Sequence, residues 1–151
     1  RVLLDGEDVA QAIRTESVGM GASTIAALPK VRAALLQRQR DFLTEQGLVA
    51  DGRDMGSVVF PQAACKIFLT ASAQIRAERR AKQIGIACEG VAFERILSDI
   101  MARDEADRRR SVAPLQQLPD AHLLDTSHRT IDEAVRQVLD WYREDCAVSC
   151  K

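Results

Sequence analysis

Two groups of residues in this chain carry chemistry in their types and spacing. The first is Asp51-Gly52-Arg53-Asp54. An adjacent Arg and Asp offer a rigid guanidinium fork for a phosphate and an acceptor for a base or sugar donor, while Gly52 and Gly56 let the backbone come close to a ligand. The competing reading of these four residues is a structural turn capped by a local ion pair. The second group runs from Arg76 to Arg110. Its nine Lys or Arg (76, 79, 80, 82, 95, 103, 108, 109, 110) against seven acids (78, 89, 94, 99, 104, 105, 107) leave a net of two positive charges. Such a stretch is either a solvated, salt-bridged helical hairpin or a pair of guanidinium clusters at the two ends of one loop that close on a polyphosphate. Arg103 and Asp107 stand at i,i+4, and Asp107 and Arg110 at i,i+3, so all three share a helix face if the helix persists. That face would hold an anion, with Asp107 accepting from hydroxyls.

The elements that must position these groups follow an α/β rhythm. Val2-Leu3-Leu4 reads as a strand end followed by the turn Asp5-Gly6. Val18, Ala22, Ile25 and Ala26 repeat at helical spacing between Glu16 and Ala27. Pro29 then breaks that run and starts a second helix, with Val31, Leu35, Leu36, Phe42 and Leu43 as its apolar stripe and Gly47 as its stop. Gly47-Leu48-Val49-Ala50 predicts a buried strand, placing Asp51–Asp54 at its carboxyl end, where ligands bind in open α/β sheets. Lys66–Leu69 predicts a second buried strand, and Thr70-Ala71-Ser72 supplies the cap for a helix over Ala73–Gln83. Gly85–Gly90 is a loop suited to a lid, and Phe93–Asp107 a helix with Phe93, Ile96, Leu97 and Ile100 inward. A last strand at His122–Leu124 and a last helix at Ile131–Arg143 complete the series. No repeat, low-complexity segment or linker divides the chain.

At 151 residues, 46% hydrophobic and 28% charged, the chain is long enough for one domain with a real core. A net charge of -1 argues against general affinity for nucleic acid or acidic membranes, and no aromatic platform interleaves the arginines. No apolar run approaches the length of a membrane span, and no secretory signal is visible. Cys65, Cys88, Cys146 and Cys150 form no CxxC pair, and with only His122 and His128 they make a poor zinc set. The expectation is a cytoplasmic protein with reduced thiols.

Asp51-Gly52-Arg53-Asp54-Met55-Gly56-Ser57-Val58-Val59-Phe60-Pro61, Lys66-Ile67-Phe68-Leu69, and Arg103-Asp104 with Asp107-Arg108 and Arg110-Ser111-Val112-Ala113-Pro114-Leu115 resemble the GRD, KIFL and RD-x-x-DR-x-R-x-V-A-P-L blocks of the bacterial cytidylate kinases. The resemblance runs from Leu4 through the last helix. It implies a P-loop NTPase-like parallel sheet flanked by helices, with a helical lid over residues 76–110, and residues 1–15 as a remnant of an insert beside the monophosphate site. It implies transfer of the γ-phosphoryl group of ATP to CMP or dCMP with Mg²⁺, in a protein that is a monomer at full length. By the same resemblance, Ser23 and Arg32 lie where the family contacts cytosine, and Asp54 completes recognition of the exocyclic amine. Arg53 and Arg110 match phosphate-binding arginines, Arg103 and Asp107 the pair at the sugar, and Arg79 and Arg80 the lid end that meets ATP. An Asp that accepts from an amine uracil lacks discriminates strongly, because the mismatch leaves a buried polar group unpaired.

The sequence departs from the family pattern at two points. Ser57 replaces the more usual Thr, keeping the hydroxyl. No GxxxxGK[ST] occurs in these 151 residues. Together with an opening in mid-strand and without methionine, this leads to the expectation that the first strands and the P-loop precede this segment, and that the segment alone is inactive as an ATP-dependent kinase. The alternative is a non-catalytic module that holds a pyrimidine nucleotide without phosphorylating it.

Overall fold

The computed structural model of the protein describes residues 1–109 and 114–149, and the chain divides into two units, Arg1–Val49 and Ala50–Lys151. The first unit opens with the expected strand and turn, which a second strand completes as a hairpin. Strands β1 (Leu3–Leu4) and β2 (Glu7–Asp8) pair antiparallel, with Leu3 opposite Asp8 and Leu4 opposite Glu7. Asp5 and Gly6 both take positive φ, 51° and 90°, the backbone that a two-residue turn needs to match the strand twist. A helical turn at Ala12–Arg14 leads into α1 (Glu16–Ala26), and Pro29 stands first in α2 (Pro29–Arg40). There its missing N–H costs nothing.

Two expectations fail at the end of this unit. Helix α2 stops at Arg40 instead of running on to Gly47. Phe42 and Leu43 are 61% and 55% exposed, so no packing there offsets the cost of further helix, and Gly47 (φ 90°) closes a turn by donating to the Thr44 carbonyl at 2.9 Å. The strand expected over Gly47–Ala50 does not form, and Val49 is 99% exposed. A strand exists by pairing. Among the described residues the only parallel partners are two other segments, which satisfy each other.

In the second unit, β3 (Ile67–Thr70) and β4 (His122–Asp125) form a parallel pair, Ile67 opposite His122 and Thr70 opposite Asp125. Leu124, 1% exposed, is the buried residue of β4. The crossover between them is a hairpin of two helices, α3 (Ala73–Ile84) and α4 (Val91–Arg109). Ser72 caps α3 as expected, its hydroxyl accepting from the Ile75 N–H at 3.2 Å. Gly85 ends the helix in the left-handed region (φ 75°), and Ile86 returns its N–H to the Ala81 carbonyl at 3.0 Å. Ala77 and Ala81 present no bulk on α3, so α4 comes close enough to bury Phe93, 3% exposed, with Ile96, Leu97 and Ile100 around it. The inward face expected of this helix is the one observed.

Helix α5 (Ile131–Ser149) runs past the expected end at Arg143. Thr130 and Glu133 form a reciprocal cap at its start: the Thr130 N–H donates to the Glu133 carboxylate at 2.8 Å, and the Glu133 N–H to the Thr130 hydroxyl at 3.3 Å. Near its other end, Trp141 stacks on the His122 ring at 4.6 Å between centroids, and Asp145 lies 3.1 Å from His122 Nε2. These contacts to β4 hold the additional turns. Among the described residues no helix is long and apolar enough to cross a membrane.

Candidate functional site

Asp51–Phe60 is organised without a preceding strand. Asp54 lies outside helical geometry (φ -125°, ψ 16°), and its carbonyl accepts from the Val58 and Val59 N–H groups at 2.9 and 3.2 Å, opening a wide helical turn over Met55–Val59. Val59, 2% exposed, anchors that turn. A Cβ on Gly52 would stand 2.9 Å from Met55 Cγ, so any larger residue there requires the Met55 side chain to shift. Arg53 and Asp54 are therefore presented by a tight, buried-edged turn.

From this turn Arg53 reaches α4. Its Nε donates to Asp107 Oδ2 in an ion pair that joins residues 54 positions apart. Asp107 is 1% exposed, and the Arg53 side chain 40%. The Asp107 carbonyl also accepts from the Leu115 N–H at 2.9 Å, so the chain leaving α4 folds back onto the same position. The pair occupies Nε of Arg53. The two terminal nitrogens are the prongs suited to bidentate anion binding, and the side chain keeps part of its surface open.

One turn earlier on α4, Asp104 meets Arg76 of α3. Nη1 donates to Oδ1 at 3.0 Å and Nη2 to Oδ2 at 2.5 Å, while Arg76 Nε donates to the Ala71 carbonyl at 3.0 Å. The Arg76 hydrogen bonds hold the Asp104 carboxyl below the usual carboxylate range against the opposing effect of burial, and the positive charges of Arg76, Arg108 and Arg53 add to this. Arg76 is raised in turn, chiefly by its hydrogen bonds to Asp104. Asp104 thus stays ionised at neutral pH.

A second cluster lies at the carboxyl ends of β3 and β4. Arg79 donates through Nη2 to the Thr126 carbonyl at 2.6 Å and through Nη1 to its hydroxyl at 3.2 Å. The Ser127 hydroxyl accepts from the Ser72 N–H at 2.9 Å and donates to Asp125 at 2.7 Å. Arg80 turns away, to Gln83 at 3.0 Å.

Of the residues singled out from sequence, Arg53 and Asp107 are brought into contact and Asp54 stands beside them in the chain. Arg103 is exposed on α4, while Asp107 is buried and turned toward the Arg53 segment. Ser23 falls within α1, and Arg32 on α2 donates to the Ala26 carbonyl at 3.3 Å, both in the first unit. Arg110, with Ser111–Ala113, lies outside the described residues. Sequence reasoning assigned no role to Arg76, Asp104 or Thr126. Asp104 stood inside a quoted motif, and Thr126 follows the last strand at the carboxyl end that the sheet rule marks.

A parallel strand pair bridged by a helical hairpin, with arginines at the strand ends and on α4, defines an α/β unit. The cytidylate kinase family model matches residues 1–144. Cytidylate kinase of Neisseria meningitidis serogroup C is 78% identical over 144 residues, covering 95% of this chain and 66% of that protein. The Chromobacterium violaceum cytidylate kinase is 59% identical over 143 residues, at 95% and 64% coverage, and that of Vibrio cholerae 55% over 141 residues, at 93% and 63%. The chain belongs to the cytidylate kinase family, and it spans slightly less than two thirds of the length of these relatives.

Proposed function

We propose that this chain contributes the acceptor site and lid of a kinase that transfers the γ-phosphoryl group of ATP to CMP or dCMP, giving CDP or dCDP. The observation that carries the reading is the Arg53–Asp107 pair. It joins the GRD turn to the RD-x-x-DR helix, the two motifs whose residues the family uses on one ligand. In this reading the terminal nitrogens of Arg53 grip phosphate while Nε stays on Asp107, so the carboxylate orients the fork and keeps capacity to accept from a ribose hydroxyl. Asp54 recognises the exocyclic amine of cytosine, and the family resemblance assigns a cytosine contact to Ser23 and to Arg32. Arg103, exposed on α4, approaches the sugar, and Arg110 is assigned to the phosphates. Phosphoryl transfer needs positioning and neutralisation of charge on the moving group, and arginines supply both.

The α3–α4 hairpin acts as the lid. Arg79 exchanges Thr126 for the donor nucleotide as the lid closes, with Arg80 beside it. The β3–β4 pair belongs to a P-loop-type parallel sheet. Among the described residues no group of three or more His, Cys, Asp or Glu side chains is placed to hold a metal ion. Mg²⁺ is accordingly assigned to the donor, as MgATP, with no protein ligand named from this chain. The protein works in the cytoplasm as a monomer. Coupled assays of the full-length protein with ATP and each of CMP, dCMP, UMP and AMP test this reading. CMP and dCMP are expected to be used far better than the others; equal rates on UMP and CMP overturn the cytosine assignment, and absence of turnover with all four overturns the kinase reading.

A further inference from the structure

All three nitrogens of Arg76 are spent on protein acceptors: Nε on the Ala71 carbonyl, and Nη1 and Nη2 on the two oxygens of Asp104. That separates it from Arg53, of which only Nε is engaged by Asp107. The Arg76 fork is already closed on the Asp104 carboxylate, with three of its five N–H donors used, and it sits where three parts of the second unit meet. Ala71, 9% exposed, belongs to the turn between β3 and α3, Arg76 to the second turn of α3, and Asp104 to the half of α4 that carries Arg103 and Asp107. The bidentate geometry fixes direction as well as distance. The apolar cluster of the hairpin, Ala77, Ala81 and Phe93 with Ile96, Leu97 and Ile100, ends within about one turn of the charged pair, which continues the α3–α4 contact to the base. Asp107 follows Asp104 by three residues, close to one helical turn, and any rotation of α4 that frees Asp104 carries Asp107 away from Arg53.

We infer that Arg76 and Asp104 form a positioning clamp that holds the base of the α3–α4 hairpin, and through it Asp107 and Arg103, in register with Arg53 for binding the nucleoside monophosphate. The inference rests on the function proposed above. Neither residue touches the ligand. Their influence is on the geometry of the acceptor site, so the two act as a unit and losses at one are not added to losses at the other.

The test uses the full-length protein and steady-state kinetics with CMP and ATP varied separately, alongside thermal melting. Asp104→Asn, nearly isosteric, and Arg76→Ala are each expected to raise KM for CMP by about tenfold with KM for ATP changed less than about twofold, because a small displacement of positioning groups is costly. The double variant is expected to be no worse than the single ones. The reversed pair, Arg76→Asp with Asp104→Arg, is expected to recover part of the loss. Wild-type protein that does not phosphorylate CMP removes the proposed function, and the clamp with it. Wild-type activity with an unchanged KM for CMP in both single variants overturns the clamp alone, as do equal rises in both KM values or strictly additive losses in the double variant, which mark a merely structural ion pair.

Discussion

Arg53 shows how one side chain divides its labour. Its Nε is held by a carboxylate that is 1% exposed, and in the proposed reading its terminal nitrogens grip phosphate. Replacing it removes both functions. Arg53→Ala is expected to cost roughly 1.5–3 kcal/mol of stability from the lost charged hydrogen bond, read from the denaturant midpoint, and to lower kcat for CMP by about a hundredfold or more if the fork holds the transferring phosphates. Arg53→Lys should recover most of the stability and little of the kcat, since a point charge pairs with Asp107 but offers no fork. Recovery of both by Lys would mean that charge alone matters at this position.

At the scale of elements, the α3–α4 hairpin is the best-supported part of the molecule, because each of its determinants is local and consistent with the next. Ser72 starts α3, Gly85 ends it, and two alanines leave the space that Phe93 fills. Phe93→Ala should therefore destabilise the protein by about 3–5 kcal/mol, the cost of a lost aromatic and the cavity it leaves. Ser72→Ala should cost only about 1 kcal/mol, one cap. Equilibrium denaturation of both variants checks the ordering, and a Phe93 variant as mild as the Ser72 variant would place the core elsewhere.

For the whole molecule, the charged pairs set the response to acid. Hydrogen bonds from Arg76 depress the Asp104 carboxyl below its ordinary 3.8. A carboxylate lowered on folding contributes stability that is complete above its unfolded value, and this is lost as pH falls from there through the lower folded value. The protein should consequently lose stability below about pH 4, with little change from this source between pH 5 and 8. Melting temperatures measured across that range should show a shallower acid limb for Asp104→Asn than for wild type. An unchanged limb would assign the acid sensitivity to other carboxylates.

Much of this was legible in the residues alone. The Asp5-Gly6 turn, Pro29 at a helix start, the Ser72 cap and the Phe93-Ile96-Leu97-Ile100 face all follow from interactions within a few positions of each other. So does the resemblance carried by Asp51–Pro61 and Arg103–Leu115, because ordered motifs are a property of the chain. The reading failed where the outcome depends on a distant partner. Leu48–Ala50 has the composition of a buried strand, but pairing is a relation between segments, and composition cannot supply the second one. Phe42 and Leu43 fit a helical stripe, yet they end outside α2 because nothing packs on them. Asp107 has arginines at helical spacing, and folding brings it Arg53 as well, 54 residues away, which no spacing rule supplies. Spacing along a helix states which side chains can meet. Burial decides which do, because a desolvated carboxylate is held only where a cation reaches it, and that depends on how the Arg53 turn and α4 pack in three dimensions.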